Sequence, residues 1–482
     1  MNNANQSEPW HRWASRGLTW LSAIVDQLFF SPANYGAKCP GLRQSSAAFL
    51  ALTLVLACSK SIAAEAASAP SWPPASPQAI DHWRSLRFGM FIHWGPVSLT
   101  AKEIGWSRGD PTPIDAYDHL YLLFNPTNFN ADDWVSIAKA AGMKYIVLTT
   151  KHHDGFCLWN TKLTDYNIMN TPFHRDVVKE LAAACKKQGI EFGAYYSVCD
   201  WRHPDFPLGS PGGKSRHEHA NLGAYNVYLL GQISELITNY GPLLTIWNDM
   251  PEEFRGRGAN TIRLVRSLQP NILINNRTGD GGDYDTPEQE IGNFQMNRPW
   301  ESCMTISAHN QWAWGGDKDG VKSTRACLEM LIRAAGGDGN VLLNVGPRPD
   351  GFIDPEQVAR LKEVGAWLAK NGGSIYGTRG GPWKPSRSVA STRKGKTIFV
   401  HVLSWPDEAL KLPGIPAKVA GAKLLNGEVK PTVHQTENAI EISVPPSQRD
   451  AYDTVVVLEL DSDALAIPVL DIQPQQAKSP TR

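Results

Sequence analysis

Apolar positions along the chain switch between two textures. Phe88 to His93 is apolar almost throughout and reads as a buried strand. Tyr145 to Thr150, Glu191 to Val198, Leu243 to Trp247, Asn271 to Asn275 and Asn340 to Val345 share that texture. Between them the period lengthens. Ala131 to Ala141 places Trp134, Ile137 and Ala138 on one stripe. Val177 to Gln188, Asn226 to Tyr240, Thr261 to Leu268, Thr324 to Ala335 and Pro355 to Asn371 are the other predicted helices. Continuous apolar strands, rather than alternating ones, predict a parallel sheet covered on both faces.

The strand–helix alternation predicts a (β/α) TIM-like barrel over residues 80–372, with an open doubly wound sheet as the competitor. The polar residues favour the barrel. His93, His152, His153, Tyr195, Tyr196, Asp249 and Arg277 all end or follow separate strands. In a barrel those ends converge on one face; in an open sheet they spread along an edge. After Tyr376 the segments shorten: Thr397 to Leu403, Ala417 to Leu425, Ala439 to Val444 and Thr454 to Leu460. These predict an antiparallel β-sandwich over residues 376–465. Residues 466–482 are polar and Pro-rich and are expected to lack structure.

Residues 1–69 have a different character. Ala47 to Ala57 reads AAFLALTLVLA, with Lys38 and Arg43 before it and small residues after it. This is the order of an export signal, and the run is too short to span a bilayer. Val55-Leu56-Ala57-Cys58 also resembles a lipoprotein processing site, which would make Cys58 a lipid anchor. The expected location is therefore periplasmic or secreted, or tethered to the outer membrane as a lipoprotein. About forty residues precede the signal, as expected if the true start codon lies further downstream.

Composition adds mainly exclusions. Lys plus Arg and Asp plus Glu both number 47, and no long basic run occurs, so no nucleic-acid footprint is present. Seven Cys match no zinc spacing. The Gly-rich stretches Gly279 to Gly282 and Gly336 to Asn340 fit neither nucleotide-binding pattern.

Asp249 is the sharpest chemical candidate, because a carboxylate at a buried strand end has a rigid support and can act as a nucleophile. Sugar transfer needs a second carboxyl, and Glu288, Glu290 and Glu301 lie downstream. The one that serves as acid must hold its proton near neutral pH, which calls for apolar cover or a like-charged neighbour. His93, His152 and His153 can bind sugar hydroxyls. They are also metal ligands by type, but no HExxH is present, and adjacent residues on a strand end are expected to point oppositely. Arg277 offers five donors, and Trp94, Trp106, Tyr195, Tyr196, Trp201 and Trp247 offer apolar faces.

Six segments in order resemble the α-L-fucosidase family of retaining glycoside hydrolases. They are Arg87 to Gly95 (RFGMFIHWG), Lys151 to Phe156 (KHHDGF), Phe192 to Ser197 (FGAYYS), Trp247-Asn248-Asp249, Asn276-Arg277, and Gly337 to Pro347 (GDGNVLLNVGP). The resemblance runs from about residue 80 to 460. It implies a catalytic barrel followed by a β-sandwich, and hydrolysis of terminal α-L-fucose from a fucosylated oligosaccharide or glycoconjugate, with no metal or cofactor. It implies Asp249 as nucleophile, with His93, His152, His153, Tyr196 and Trp247 around the sugar, beside the Arg277 and Trp94 read above from residue type. Asp285-Thr286-Pro287-Glu288 resembles the segment that supplies the acid/base, implying Glu288, with Glu290 and Glu301 as alternatives. That segment and Pro299 to Cys303 also resemble the subgroup preferring α-1,3- or α-1,4-linked fucose. A glycosidase for a related sugar such as L-galactose, or a secreted carbohydrate-binding protein without catalysis, are the alternatives. The sequence leaves the oligomeric state open.

Overall fold

The computed structural model describes residues 72–207, 214–215, 217–250, 257–406 and 409–472. The leader of residues 1–69, with Cys39 and Cys58, and residues 473–482 lie outside them.

Seven parallel strands form the first sheet. They are β1 (Phe88–Ile92), β2 (Tyr145–Lys151), β3 (Glu191–Ser197), β4 (Thr245–Asp249), β5 (Leu273–Ile274), β6 (Glu301–Thr305) and β7 (Asn340–Val345), in the order β5-β4-β3-β2-β1-β7-β6. The gap between β5 and β6 is filled by residues 284–288. Tyr284 bridges Asn275 beside β5, while Asp285 and Glu288 bridge Trp300 and Cys303 on the other side, all in parallel. This segment acts as an irregular eighth stave and closes the curled sheet into the expected barrel.

Strand alternation then sorts side chains into two shells. Phe91, Tyr145, Val147, Tyr195, Trp247, Leu273, Cys303 and Leu342 pack together inside the barrel. Their chain neighbours, among them Met90, Ile92, Ile146, Leu148, Ala194, Tyr196 and Ile246, pack outward under the helices. Gly89 belongs to the inner set: a Cβ there would sit 2.4 Å from the Tyr145 ring, so only glycine leaves room for it.

The helices covering the sheet begin where short polar side chains cap free amides. Asp176 accepts from Lys179 N before Val177–Gln188, and Ser323 accepts from Ala326 N before Thr324–Gly336. Gly189, at φ 72°, ends the first of these in the left-handed region. Among the described residues no helix is long and apolar enough to cross a membrane.

The C-terminal part is the expected antiparallel sandwich. One sheet runs β12-β15-β10-β9-β8 and the other β11-β14-β13. Here β8 is Arg379–Gly380, β9 Val389–Lys394, β10 Thr397–Val402, β11 Leu410–Pro413, β12 Val419–Leu424, β13 Thr432–Gln435, β14 Ala439–Ser443 and β15 Thr454–Leu460. Ile398, Val400, Ile440, Ile442, Val456 and Leu458 form its core. Buried Asp338 ties the two parts at the end of the barrel away from the His-bearing strand ends. It pairs with Arg87 at 2.8 Å, just before β1, and with Arg379 of β8 at 2.6 Å.

Two parts of the sequence reading need correction. β6 and the 284–288 stave were not legible as strands, because Glu301 and Ser302 interrupt the apolar pattern. The tail does not lose structure at residue 466: Ile467 is buried, and Leu470 bridges Trp383, with backbone bonds to Pro382 and Lys384. The apolar residues of the tail dock on the sandwich. Cys157, Cys185, Cys199, Cys303 and Cys327 are all buried free thiols.

Candidate active site

The C-terminal ends of the strands surround a cavity of about 90 Å³. Asp249 ends β4 and reaches its wall. Its Oδ1 accepts from Arg277 Nη1 at 2.8 Å and from the Met250 amide at 3.0 Å; its Oδ2 accepts from the Tyr195 hydroxyl at 2.8 Å. His153 Nε2 lies 3.8 Å from the same Oδ2. Burial pushes the Asp249 carboxyl up, but the Arg277 charge, His153 and the donated hydrogen bonds outweigh it. The net effect holds the group below its ordinary value, and so ionised. Met250, at φ 56°, occupies the left-handed region that a non-glycine residue enters at some cost.

Arg277 is the hub of the site. Its Nη2 donates to Glu288 Oε2 at 3.0 Å and to the Thr286 carbonyl at 2.9 Å, while Nε donates to Thr286 Oγ1 at 3.0 Å. The guanidinium therefore pins the 284–288 stave and holds both carboxylates, one on each terminal nitrogen. It also lies over the Trp247 ring, 4.8 Å from its centroid. Trp247 and Tyr195, paired in register across β3 and β4, stack at 5.5 Å and 21°.

The three histidines share one wall. His93 follows β1, with Nδ1 2.6 Å from Asn344 Oδ1 of β7. His153 Nδ1 lies 2.7 Å from Ser197 Oγ. The expectation that His152 and His153 point oppositely is wrong: both line the cavity, with ring centroids 3.9 Å apart. The register between β2 and β3 slips between Thr149 and Lys151, and both histidines lie beyond the strand, where period-2 alternation no longer applies. Burial lowers the titration of His93 to about 3 and of His153 to about 4, and that of His152 falls well below the ordinary value. All three rings are neutral at physiological pH, so each has one donor and one acceptor nitrogen. Among the described residues no group of three or more His, Cys, Asp or Glu is placed to hold a metal ion.

Two expected sugar-binding residues lie elsewhere. Tyr196 faces outward; its hydroxyl donates to Gln232 Oε1 at 2.9 Å under the helix Leu222–Tyr240, and Tyr195 takes the place in the pocket. Trp94 packs against Phe124, Phe129 and Trp134 outside the barrel and donates to the Arg348 carbonyl. The Tyr196 error arises because adjacent residues on a strand face opposite shells, and the sequence motif does not say which; Trp94 lies beyond β1, which ends at Ile92.

The structure separates the three glutamates. Glu288 lines the cavity. Glu290 is exposed and does not line it; Asn293 Nδ2 donates to it at 3.4 Å. Glu301 is buried beneath the cavity, accepting from Trp247 Nε1 at 3.2 Å and from the Tyr145 hydroxyl. The apolar cover expected of an acid belongs to Glu301, whose carboxyl burial raises to about 7, and yet that group does not reach the cavity. Trp312, which no sequence signal singled out, forms part of the wall beside Phe91 and His93. Glu103 holds its loop through the Trp312 and Ala313 amides, at 2.8 and 3.1 Å.

The model of the alpha-L-fucosidase family matches residues 55–373. Human tissue alpha-L-fucosidase is 29% identical over 418 residues, covering 77% of this chain and 87% of its own. The mouse enzyme is 30% identical over 420 residues, covering 78% and 90%. Among solved structures, alpha-L-fucosidase isoenzyme 1 from Paenibacillus thiaminolyticus superposes with a TM-score of 0.74 at 34% identity, covering 80% of this chain and 99% of its own. A trapped covalent intermediate of the Bacteroides thetaiotaomicron enzyme with 2-fluoro-fucosyl fluoride superposes with a TM-score of 0.74 at 27% identity, covering 81% and 97%.

Proposed function

The chain belongs to the α-L-fucosidase family, and from that premise we propose which of its residues carry each step of the hydrolysis. It is an exo-acting, retaining enzyme that removes terminal α-L-fucose from oligosaccharides and glycoconjugates. In this reading Asp249 attacks the anomeric carbon while Glu288 gives its proton to the departing glycosidic oxygen. The C–O bond to the aglycone breaks and a fucosyl ester forms on Asp249. Glu288, now a carboxylate, takes a proton from water as the water oxygen attacks the same carbon; the ester C–O bond to Asp249 breaks, Asp249 returns as a carboxylate, and fucose leaves with its configuration retained.

The observation that carries the reading is the shared guanidinium of Arg277, which holds one oxygen of each carboxylate at 2.8 and 3.0 Å. Retaining pairs stand roughly 5 Å apart, an interval one such fork spans. Glu288 is 43% exposed in the free protein. The neutral rings of His93, His152 and His153 supply both donors and acceptors for sugar hydroxyls. The corner of Phe91, Tyr195 and Trp312 suits the methyl group, which contributes roughly 1 kcal/mol. Hydroxyls left unmatched against buried imidazoles cost more, so the histidines set selectivity.

The Thr286-Pro287-Glu288 form supports a preference for α-1,3- or α-1,4-linked fucose in branched glycans. The basic, apolar, small-residue order of the leader supports export to the periplasm or beyond, with Cys58 as the tether of a lipoprotein. Mass analysis of the mature N-terminus tests that part: a chain beginning at unmodified residues other than Cys58 rules the anchor out.

The central test is the purified protein against aryl α-L-fucoside, Lewis-type and 2′-fucosylated oligosaccharides. Turnover of the branched substrates over the 2′-fucosylated ones is expected; the reverse order removes the linkage proposal. Asp249→Ala is expected to lose at least ~10³-fold in kcat, with azide restoring part of it as the fucosyl azide. A loss of only a few-fold excludes Asp249 as the nucleophile.

A further inference from the structure

Glu301 opens β6 inside the barrel, below the cavity floor, with no exposure to solvent. Its oxygens are taken by groups from two other strands: Oε1 by the Trp247 indole N–H of β4 at 3.2 Å, and Oε2 by the Tyr145 hydroxyl of β2. Tyr284 of the eighth stave and Cys303 of its own strand are the other titratable groups near it. A carboxyl among aromatic rings is expensive to bury, and an apolar side chain would fill the space at less cost. What the carboxyl adds is direction: it fixes the plane of one indole.

That indole is central to the site. Tyr195 stacks on it and Arg277 lies over it at 4.8 Å, and these are the two side chains that donate to Asp249. We propose that Glu301 is a positioning residue: through the Trp247 N–H it sets the indole on which Tyr195 and Arg277 rest, and so sets the orientation of Asp249. This rests on the pocket described above as the fucosidase centre. It separates Glu301 from an acid/base role, because the carboxyl does not line the cavity.

The test compares Glu301→Gln, Trp247→Phe and the double variant of the full chain on aryl α-L-fucosides. Glu301→Gln replaces the ionisable acceptor of the Trp247 N–H with a weaker neutral one and Trp247→Phe removes the donor, so each single change is expected to lower kcat about tenfold, and the double variant is expected to be no slower than the slower single. Losses that multiply, or wild-type kinetics in Glu301→Gln, overturn the proposal. A loss in Glu301→Gln that steepens with poorer leaving groups also overturns it, because that is the signature of an acid. Tryptophan emission followed from pH 5.5 to 8.5 reads the same contact without turnover. A step near pH 7 is expected in the wild type and its absence in either variant. Inactivity of the wild type would sink the fucosidase reading and leave this step readable. Should Glu301→Gln not fold, a step that persists in Trp247→Phe overturns the proposal by itself.

Discussion

Arg277 donates to Asp249 Oδ1 through Nη1 at 2.8 Å, and the other arm of the same guanidinium reaches Glu288 at 3.0 Å. The first contact keeps the nucleophile ionised; the second fixes the stave that carries the acid. A lysine keeps the charge but cannot grip both partners. Arg277→Lys is therefore expected to lower kcat about 100-fold, in the range of a lost electrostatic donor. Because the Arg277 charge lowers the titration of Asp249, Arg277→Met, which removes that charge, should raise it. The acid limb of the kcat/KM profile should then move to higher pH. An unmoved limb would show that Arg277 does not govern the nucleophile.

The outward turn of Tyr196 separates it from its neighbour. Tyr195→Phe removes a hydrogen bond to Asp249 and should lower kcat by about 10-fold or more. Tyr196→Phe leaves Gln232 Oε1 without its donor behind the sheet, which should cost about 1–3 kcal/mol of stability with kcat within about twofold of wild type. Parallel melting curves and steady-state kinetics distinguish the two. Equal kinetic losses would contradict the inner and outer placement.

Glu288→Ala should slow natural glycans far more than aryl fucosides, whose leaving groups need little protonation. Glu290→Ala, on an exposed side chain outside the cavity wall, should leave both unchanged. A leaving-group dependence in Glu290→Ala instead would transfer the acid role to it.

Stability should depend on pH in two opposing ways. His93 and His153 are held at about 3 and about 4 by burial, against about 6.5 in the unfolded chain. The unfolded state takes up their protons first, so stability falls as pH drops from about 6.5 toward 4, by up to about 1.4 kcal/mol per pH unit for each group. Glu301 has the opposite sign. Raised to about 7 from 4.5, it keeps its proton in the folded state and destabilises the fold as pH rises from 4.5 to 7. Thermal unfolding of Glu301→Gln against wild type isolates that term: the variant should gain on the wild type across this interval. A constant difference would show that Glu301 is already ionised at the bottom of it.

The sequence alone determined the strand–helix alternation and the polar residues that end each strand. Those follow from local periodicity, which is written in consecutive residues. Asp249, His93, His152, His153, Trp247 and Arg277 were all legible that way, and the structure brings them to one cavity. Only the tertiary structure decided sidedness and reach. The closed barrel sent Tyr195 inward and Tyr196 outward, placed Trp94 behind the sheet, and turned both adjacent histidines to the same wall past a register slip. It also separated Glu288, Glu290 and Glu301, near in sequence, into a lining residue, an exposed one and a buried one. The physical reason is that which way a side chain faces depends on pairing between strands far apart in the chain. The position of the eighth stave likewise rests on bridges to Asn275, Trp300 and Cys303 and on Arg277, none of which a local pattern announces.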